Sequence, residues 1–241
     1  NVSLPSAPAA PDHTLAARAR AAVDDKTKPC GALGRLERLA VRLAVLQHSL
    51  APRVERAAVC VFAADHGVAA EGVSAYPREV TAEMVRNFAR GGAAINVFAR
   101  AHGLALDVVD VGVDAALGSL PGVHDARVRR GTRNLLVERA MTDDECARAM
   151  AVGAARATHA IDAGADALVL GEMGIGNTTS AAALLCALTG AAPTVAVGRG
   201  TGVDDARLAH KVAIVARALA RHADVCRAPD ADDRGGTGAA G

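Results

Sequence analysis

Aromatic residues are scarce in this chain, whose 241 residues include one tyrosine, three phenylalanines and no tryptophan. Proteins that bind single-stranded nucleic acid stack bases on such rings, so the chain offers few platforms for that task. Basic charge is not in excess either, because 27 lysine and arginine residues are matched by 26 aspartate and glutamate residues. Without a net positive field, neither nucleic acid nor an anionic membrane is an expected partner.

Closely spaced cysteines and long apolar runs are also missing. The five cysteines are far apart and mostly within apolar segments, at Cys30, Cys60, Cys146, Cys186 and Cys226. This spacing is typical of reduced core thiols, and the lack of a CxxC or HExxH pattern disfavours zinc, so we expect no metal and no cofactor. No run approaches the roughly 20 apolar residues of a membrane span, and the N-terminus lacks the features of a signal peptide. We therefore expect a cytoplasmic protein.

The chain contains four continuous apolar runs of strand length, within residues 56–67, 104–114, 165–174 and 193–202. Continuous runs are typical of strands that are buried on both faces of a parallel sheet. Helical patterns separate them, so the sequence predicts an α/β fold with a doubly wound, mostly parallel sheet and helices on both faces. Such sheets bind ligands beyond the carboxyl ends of their strands. We expect the loops after the four strands to meet on one rim.

Three helices are marked by their apolar periodicity or by their ends. Leucines repeat along residues 34–50 as one face of an amphipathic helix. Thr142 and Glu145 have capping-box spacing at the start of a helix that ends at Gly164. Residues 204–224 carry a core stripe made by Leu208, Val212, Val215 and Leu219.

These patterns divide the chain into three parts. Residues 1–50 are predicted to form a Pro/Ala-rich arm followed by a small helical N-terminal portion, and residues 51–226 to form the α/β domain. Residues 227–241 contain no apolar side chain large enough to join a core. They are predicted to be a disordered tail.

The stretch GEMGIGNTTSAAALL, residues 171–185, joins the third apolar run to a predicted helix. Free N–H groups at a helix N-terminus, approached closely because of the glycines, would make an anion site. A tight turn that uses its glycines only for packing explains the stretch equally well. Walker and dinucleotide fingerprints both fail, because Gly176 is followed by Asn177, Thr178 and Thr179. A phosphoribosyl group is the remaining class of phosphate ligand.

Two charged side chains could serve such a site. Glu172 would repel a phosphate, so it is a candidate for a catalytic or helper carboxylate that faces a sugar or a base, or else it is an exposed loop residue. Lys211 borders the apolar stripe of its helix. It is either a lysine that extends its charge to solvent, or a residue that binds phosphate or orients Glu172.

The polar loop after the first apolar run, residues 64–80, holds Asp65, His66, Ser74 and the only tyrosine, Tyr76. Aspartate, histidine and serine together invite comparison with a hydrolase triad, but no nucleophile elbow of the GxSxG type is present. The loop could instead use Ser74 and Tyr76 to line a pocket for a ring-shaped ligand, or it could be an ordinary loop.

Four segments together resemble the nicotinate-nucleotide–dimethylbenzimidazole phosphoribosyltransferase family: residues 28–37, 62–100, 171–183 and 198–212. The resemblance extends from about Leu15 to about Cys226, and the glycine-rich segment is its most specific part. It implies a homodimer in which residues 51–226 bind the phosphoribosyl group. It also implies transfer of phosphoribose from nicotinate mononucleotide to 5,6-dimethylbenzimidazole, with inversion at C1′. The products would be nicotinate and α-ribazole 5′-phosphate, the lower-ligand nucleotide of cobalamin.

The resemblance further implies roles for individual residues. Glu172 and Lys211 would be active-site residues, with Glu172 a secondary carboxylate near the reacting groups. Ser74 and Tyr76 would line the benzimidazole pocket. The phosphate and the rest of the nucleotide would be held by Gly174, Gly176, Asn177, Thr178, Thr179, Gly200 and Gly202.

One part of the family pattern has no counterpart in this sequence. The principal general base of the family is a glutamate in a segment of the GEGSGA type, and nothing similar follows Cys226. Either the sequence omits a C-terminal region, or the product is truncated, or a partner chain supplies the rest. A truncated product could be a catalytically impaired remnant that binds the nucleotide or the benzimidazole, since losing a general base slows a reaction about 10²–10⁴-fold.

Overall fold

The computed structural model describes residues 10–225. The predicted tail at 227–241, Cys226 and most of the predicted arm lie outside the described residues. The chain divides into two compact units at Arg56 and Ala57, and each unit is described by itself below.

The first unit contains two helices, α1 (His13–Asp24) and α2 (Arg35–Leu46). The amphipathic pattern along α2 does form a helix, but its apolar face is not buried within this unit, because Leu36 and Leu46 are 63% and 72% exposed. Glu37 is buried instead and pairs with Lys28 at 2.9 Å. Two short helices offer too little surface to cover a leucine stripe.

The second unit is built on a four-stranded sheet in which every pair of neighbours is parallel. Its strands are β1 (Ala57–Ala64), β2 (Ala105–Gly112), β3 (Val123–Asp125) and β4 (Ala167–Met173), in the spatial order β3-β2-β1-β4. Three of the predicted strands are therefore confirmed. Phe62 of β1 is in register with Glu172 of β4 and with Val109 of β2, so the carboxyl ends of these strands lie side by side.

Helices cover both faces of this sheet, as the sequence predicts. On one face, α3 (Val80–Ala89) and α4 (Ala94–Ala101) bury a core that joins Val85 to Val61 and Val108. Successive residues of a strand point to opposite faces, so Asp107 lies on the other face. There it pairs with Arg156 of α5 (Asp143–Asp162) at 2.7 Å.

Two further helices follow β4 and form a smaller core. In this core α6 (Asn177–Thr189) packs on α8 (Asp205–Arg221) through Ala182, Cys186 and Val215. The predicted stripe along α8 is confirmed, although Lys211, Ile214 and Ala218 are also buried on this helix. The predicted capping box of α5 is confirmed as well, since Thr142 and Glu145 bond each other's backbone amides.

The fourth predicted strand, within residues 193–202, is wrong. Pro193 begins a four-residue helix, α7 (Pro193–Ala196), and the glycine-rich residues after it form a loop. Proline is pre-organised for the first position of a helix and has no N–H for a sheet. With no strand here, the loop does not join the sheet. It contacts α8 instead, where Lys211 donates a hydrogen bond to the backbone oxygen of Gly198.

Candidate active site

The carboxyl ends of β1, β2 and β4 form one rim of the sheet. Hydrogen bonds to the backbone join the loops that follow β1 and β2. Asp65, directly after β1, accepts a hydrogen bond at 2.7 Å from the backbone N–H of Asp114, which follows β2. The backbone oxygen of Asp65 accepts another from Thr132 at 2.9 Å. The loops after these two strands are therefore fixed to each other, as their parallel arrangement predicts.

The turn from β4 into α6 lies against the end of β1. A Cβ atom at Gly174 would collide with the backbone oxygen of Ala64, and Gly176 has a φ of 92°, which favours glycine. The tight-turn interpretation is therefore right for these two glycines. It does not exclude an anion site, because this packing leaves the N–H groups of Gly176 and Thr178 without an acceptor among the described residues.

The N-terminus of α6 has unused hydrogen-bond donors. The N–H of Asn177 donates to Gly174, and that of Ile175 donates to the buried hydroxyl of Thr81 at 3.1 Å. Within residues 10–225, the N–H groups of Gly176 and Thr178 have no acceptor. Two free donors at the positive end of a helix dipole are suited to an anion.

Lys211 reaches this helix terminus from α8. Its side chain is buried, with 1% exposure, so it is not the solvent-extended lysine that one interpretation of the sequence suggested. The Nζ atom donates to Oγ1 of Thr178 at 2.6 Å and to the backbone oxygen of Gly198 at 3.1 Å. No carboxylate in the described part of the chain forms an ion pair with it. Desolvation lowers the pKa of the Lys211 ammonium.

The glycine-rich loop after α7 closes around the same ammonium. A Cβ atom at Gly200 would lie 2.9 Å from Oγ1 of Thr178 and 3.0 Å from Nζ of Lys211. Gly200 and Gly202 also have positive φ angles, of 54° and 87°. Gly200 is thus brought to the α6 N-terminus with Lys211 and Thr178, which the sequence could not place together.

Glu172 lies near the end of β4, on the wall of a cavity of about 290 Å³ that we call the β4 cavity. Desolvation by the surrounding atoms raises the pKa of the Glu172 carboxyl, while a hydrogen bond from Asn177 lowers it to a smaller extent. The other polar side chains of the wall are His66 and Asn177. Apolar side chains make up most of the rest, among them Phe62, Val111 and Met173.

The composition of the β4 cavity suits a flat ring or a sugar. Its apolar walls would bury a ring, and its few polar groups would orient one end of it. A carboxylate at this position can stabilise a positive charge that develops on a bound ligand. The free donors of α6 follow Glu172 in the chain by only a few residues.

Not every predicted site residue meets this cavity. Ser74 and Tyr76 lie in a loop, where Oγ of Ser74 is 3.3 Å from Oγ1 of Thr201 and Tyr76 is 55% exposed. Neither lines the β4 cavity. Thr179 is fully buried, and its N–H donates to Gly176, so its predicted contact with phosphate stays a prediction.

Sequence reasoning missed two residues that support the site. Thr81 fixes the turn through Ile175, and Ser180 of α6 lies 3.1 Å from Nδ1 of His66 through its Oγ atom. Both contacts join residues far apart in the chain, and no local pattern marks them. His66 was visible in the sequence only as part of a hydrolase triad, and the structure pairs it with Ser180 rather than Ser74.

Within residues 10–225 there is no group of three or more histidine, cysteine, aspartate or glutamate residues that could hold a metal ion. None of the helices in that range has the length and apolar character needed to cross a membrane.

The chain is similar to known proteins of one family. Residues 9–234 match the family model described as phosphoribosyltransferase. A nicotinate-nucleotide–dimethylbenzimidazole phosphoribosyltransferase of Ralstonia nicotianae is 57% identical over 220 residues, which are 90% of this chain and 62% of that protein. A protein of the same name from Chromobacterium violaceum is 59% identical over 206 residues, 86% of this chain and 59% of that protein.

A solved structure supports the same relationship. The crystal structure of CobT from Thermus thermophilus superposes with a TM-score of 0.81 at 55% identity, covering 86% of this chain and 62% of that chain. This chain thus spans about three fifths of the length of the relatives that it matches. The resemblance and the α/β fold inferred from the sequence are confirmed, and the chain belongs to the phosphoribosyltransferase family that this family model describes.

Proposed function

We propose that this chain carries the transfer site of its family, which moves phosphoribose from nicotinate mononucleotide to 5,6-dimethylbenzimidazole. The products would be nicotinate and α-ribazole 5′-phosphate, with inversion at C1′. The names of the relatives support transfer and do not favour the alternative of an impaired binding remnant. Because the chain spans about three fifths of these relatives, their complete activity is a proposal for this chain.

The observation that carries the proposal is the buried ammonium of Lys211. Both of its hydrogen-bond partners are neutral oxygens, and a buried cation without a counter-ion is costly. An anion beside Thr178 would supply the counter-ion and would meet the free N–H groups at the start of α6. The 5′-phosphate of a nucleotide is such an anion.

Glu172 would then act on the sugar side of the site. Nicotinate leaves C1′ as a neutral pyridine, so its departure needs no general acid. One benzimidazole nitrogen bonds to C1′ while the other loses its proton. A carboxylate near C1′ would stabilise the positive charge of the transition state, and the raised pKa of Glu172 would help it to accept that proton.

Two further parts of the proposal rest on the family resemblance, and a third rests on the cysteines. Ser74 and Tyr76 would contact the benzimidazole, although the β4 cavity does not include them. The protein would be a homodimer. It would act in the cytoplasm, where thiols such as the buried Cys60 and Cys186 stay reduced.

The proposal is tested by incubating the chain with nicotinate mononucleotide and 5,6-dimethylbenzimidazole and separating the products by chromatography. We expect α-ribazole 5′-phosphate, and a rate at least about tenfold lower for Glu172→Gln with nucleotide affinity retained. Glu138→Gln is the matched control, because that exposed carboxylate is outside the β4 cavity.

Calorimetry with each ligand separates the alternatives. Binding of both ligands without turnover would support the remnant interpretation. If the chain binds neither ligand, the proposed function is wrong.

A further inference from the structure

His66 is part of the wall of the β4 cavity, but the proposed function gives it no role. It follows β1 by two residues, and its side chain forms part of the wall of the β4 cavity beside Glu172 and Asn177. These three are the polar side chains of that wall. The imidazole therefore shares this cavity with the carboxylate assigned to the sugar side and with Asn177, the first residue of the helix whose terminus is assigned to the phosphate.

Two contacts hold the ring in this position. Nδ1 of His66 lies 3.1 Å from Oγ of Ser180, one turn into α6. On the other side the ring packs against the turn after β4, because a Cβ at Gly174 would lie 3.0 Å from Cδ2 and 3.1 Å from Nε2. A side chain confined by a helix and a turn has little rotational freedom left to lose when a ligand binds.

The second nitrogen of the ring, Nε2, lies beside the turn at Gly174 and is not used by Ser180. Within residues 10–225, Nε2 of His66 has no hydrogen-bond partner, whereas Nδ1 is occupied by Ser180. Burial lowers the pKa of the imidazole to about 4, so the ring is neutral near pH 7. A neutral ring has one donor and one acceptor nitrogen, and the Ser180 hydroxyl can pair with Nδ1 in either role, so Nε2 can be the donor or the acceptor.

We propose that Nε2 of His66 binds a ribose hydroxyl of the phosphoribosyl group, between the phosphate at the α6 N-terminus and Glu172. A hydroxyl can donate or accept, so it matches either tautomer of the ring. A carboxylate or a cationic ring would match one tautomer only. This inference rests on the proposed function, because it requires the phosphate to bind at Lys211.

The test compares two ligands that share a phosphate and differ in the sugar. Calorimetry measures the affinity of the full chain, and of His66→Ala, for ribose 5-phosphate and for inorganic phosphate. We expect His66→Ala to weaken ribose 5-phosphate about three- to tenfold and to leave inorganic phosphate unchanged. A role limited to packing would distort the turn after β4 and weaken both ligands equally, which would overturn the inference.

Two further variants distinguish the loss of the hydrogen bond from a simple folding defect. His66→Gln can present an amide near the position of Nε2 and is expected to recover part of the ribose affinity. Ser180→Ala frees the ring and is expected to weaken ribose 5-phosphate less than His66→Ala does. If His66→Gln binds ribose 5-phosphate no better than His66→Ala, the hydrogen bond is not there.

The outcome for the unmodified chain separates this inference from the proposed function. If it binds inorganic phosphate and ribose 5-phosphate with equal affinity, the sugar contact is wrong and the phosphate site stands. If it binds neither, the phosphate site is wrong, and the inference is overturned with it.

Discussion

Lys211 connects the stability of the fold to the binding of an anion. Its four-carbon stem is buried on α8, while its ammonium bonds Thr178 and Gly198 without a carboxylate. A lysine that served only for packing could be replaced by an apolar side chain at no cost. The anion proposed above would explain why a charged side chain occupies this buried position.

Lys211→Met tests this directly, because methionine keeps most of the stem and removes the charge. We expect the affinity for inorganic phosphate to fall about tenfold or more, since a charge-assisted hydrogen bond is lost. The free energy of unfolding should stay the same or rise, because a buried cation is removed. Calorimetry and denaturant unfolding measure the two effects.

Arg217→Met is the matched control for this variant, since Arg217 is exposed on the same helix. It should change neither quantity. A Lys211→Met protein that binds phosphate as tightly as the unmodified chain would contradict the proposed anion site.

His66 predicts a pH dependence of stability. Burial lowers its pKa to about 4 in the folded protein from an ordinary value of 6.5, so the unfolded chain takes up a proton first as the pH falls. Stability from this group is complete above about pH 6.5 and is lost between there and pH 4, by about 3 kcal/mol in all. His66→Gln should flatten the unfolding free energy over this window.

Two other acidic groups also have shifted pKa values. Their effects on stability differ from that of His66 in sign or in pH range. Glu172 shares the cavity wall, and because its pKa is raised in the folded protein it opposes the effect of His66 and favours the folded state as the pH falls. Glu145, paired with Arg133, has a pKa of about 2 against an ordinary value of 4.5, so stability from this pair is lost from about pH 4.5 downward and overlaps only the lower end of the His66 window. An unmodified chain whose stability is constant from pH 6.5 to 5 would contradict the burial of a neutral ring.

At the scale of elements, the turn between β4 and α6 depends on close backbone packing. Gly174→Ala would place a methyl group against the backbone oxygen of Ala64, which cannot move without disturbing β1. We expect the free energy of unfolding to fall by about 1–3 kcal/mol. Weaker phosphate binding should accompany this loss, because the same turn begins α6.

Gly153→Ala is the matched control for stability, because Gly153 lies within α5 and an added Cβ there would contact nothing within 4 Å. Alanine favours the helix, so this variant should gain about 0.5–1 kcal/mol of stability. Thermal and denaturant unfolding of the two variants should show opposite changes. Equal effects would contradict the packing described for Gly174.

At the scale of the whole molecule, α6 and α7 present an apolar surface. Leu184, Leu188 and Val195 are 62%, 69% and 80% exposed. Exposed apolar side chains in one area favour association between molecules. We expect the full chain to self-associate at high concentration, and a Leu184→Gln, Leu188→Gln double variant to do so less without losing stability.

Light scattering across a concentration series measures this association. Ala181→Gln is the control, because it adds an amide to the exposed side of α6 while removing little apolar area. If the double variant associates as strongly as the unmodified chain, this surface is not responsible.

Elements with local signals were predictable. Apolar runs marked β1, β2 and β4, and the capping box at Thr142 marked the start of α5. The run at 193–202 has the composition of a strand but lies beside no neighbouring strand, so Pro193 begins a helix instead. Short apolar runs leave this choice to tertiary contacts.

The sequence by itself determined the fold class, the family and the glycine-rich turn, because each of the patterns involved is local and can be recognised within its own segment of the chain. The tertiary structure decided that Lys211 is buried against Thr178, that Gly200 closes around it, and that His66 is anchored by Ser180 beside Glu172. These contacts join residues 11 to 114 positions apart in the chain. Their strength comes from desolvation and from short, well-defined distances, which exist only after the strands and helices have packed.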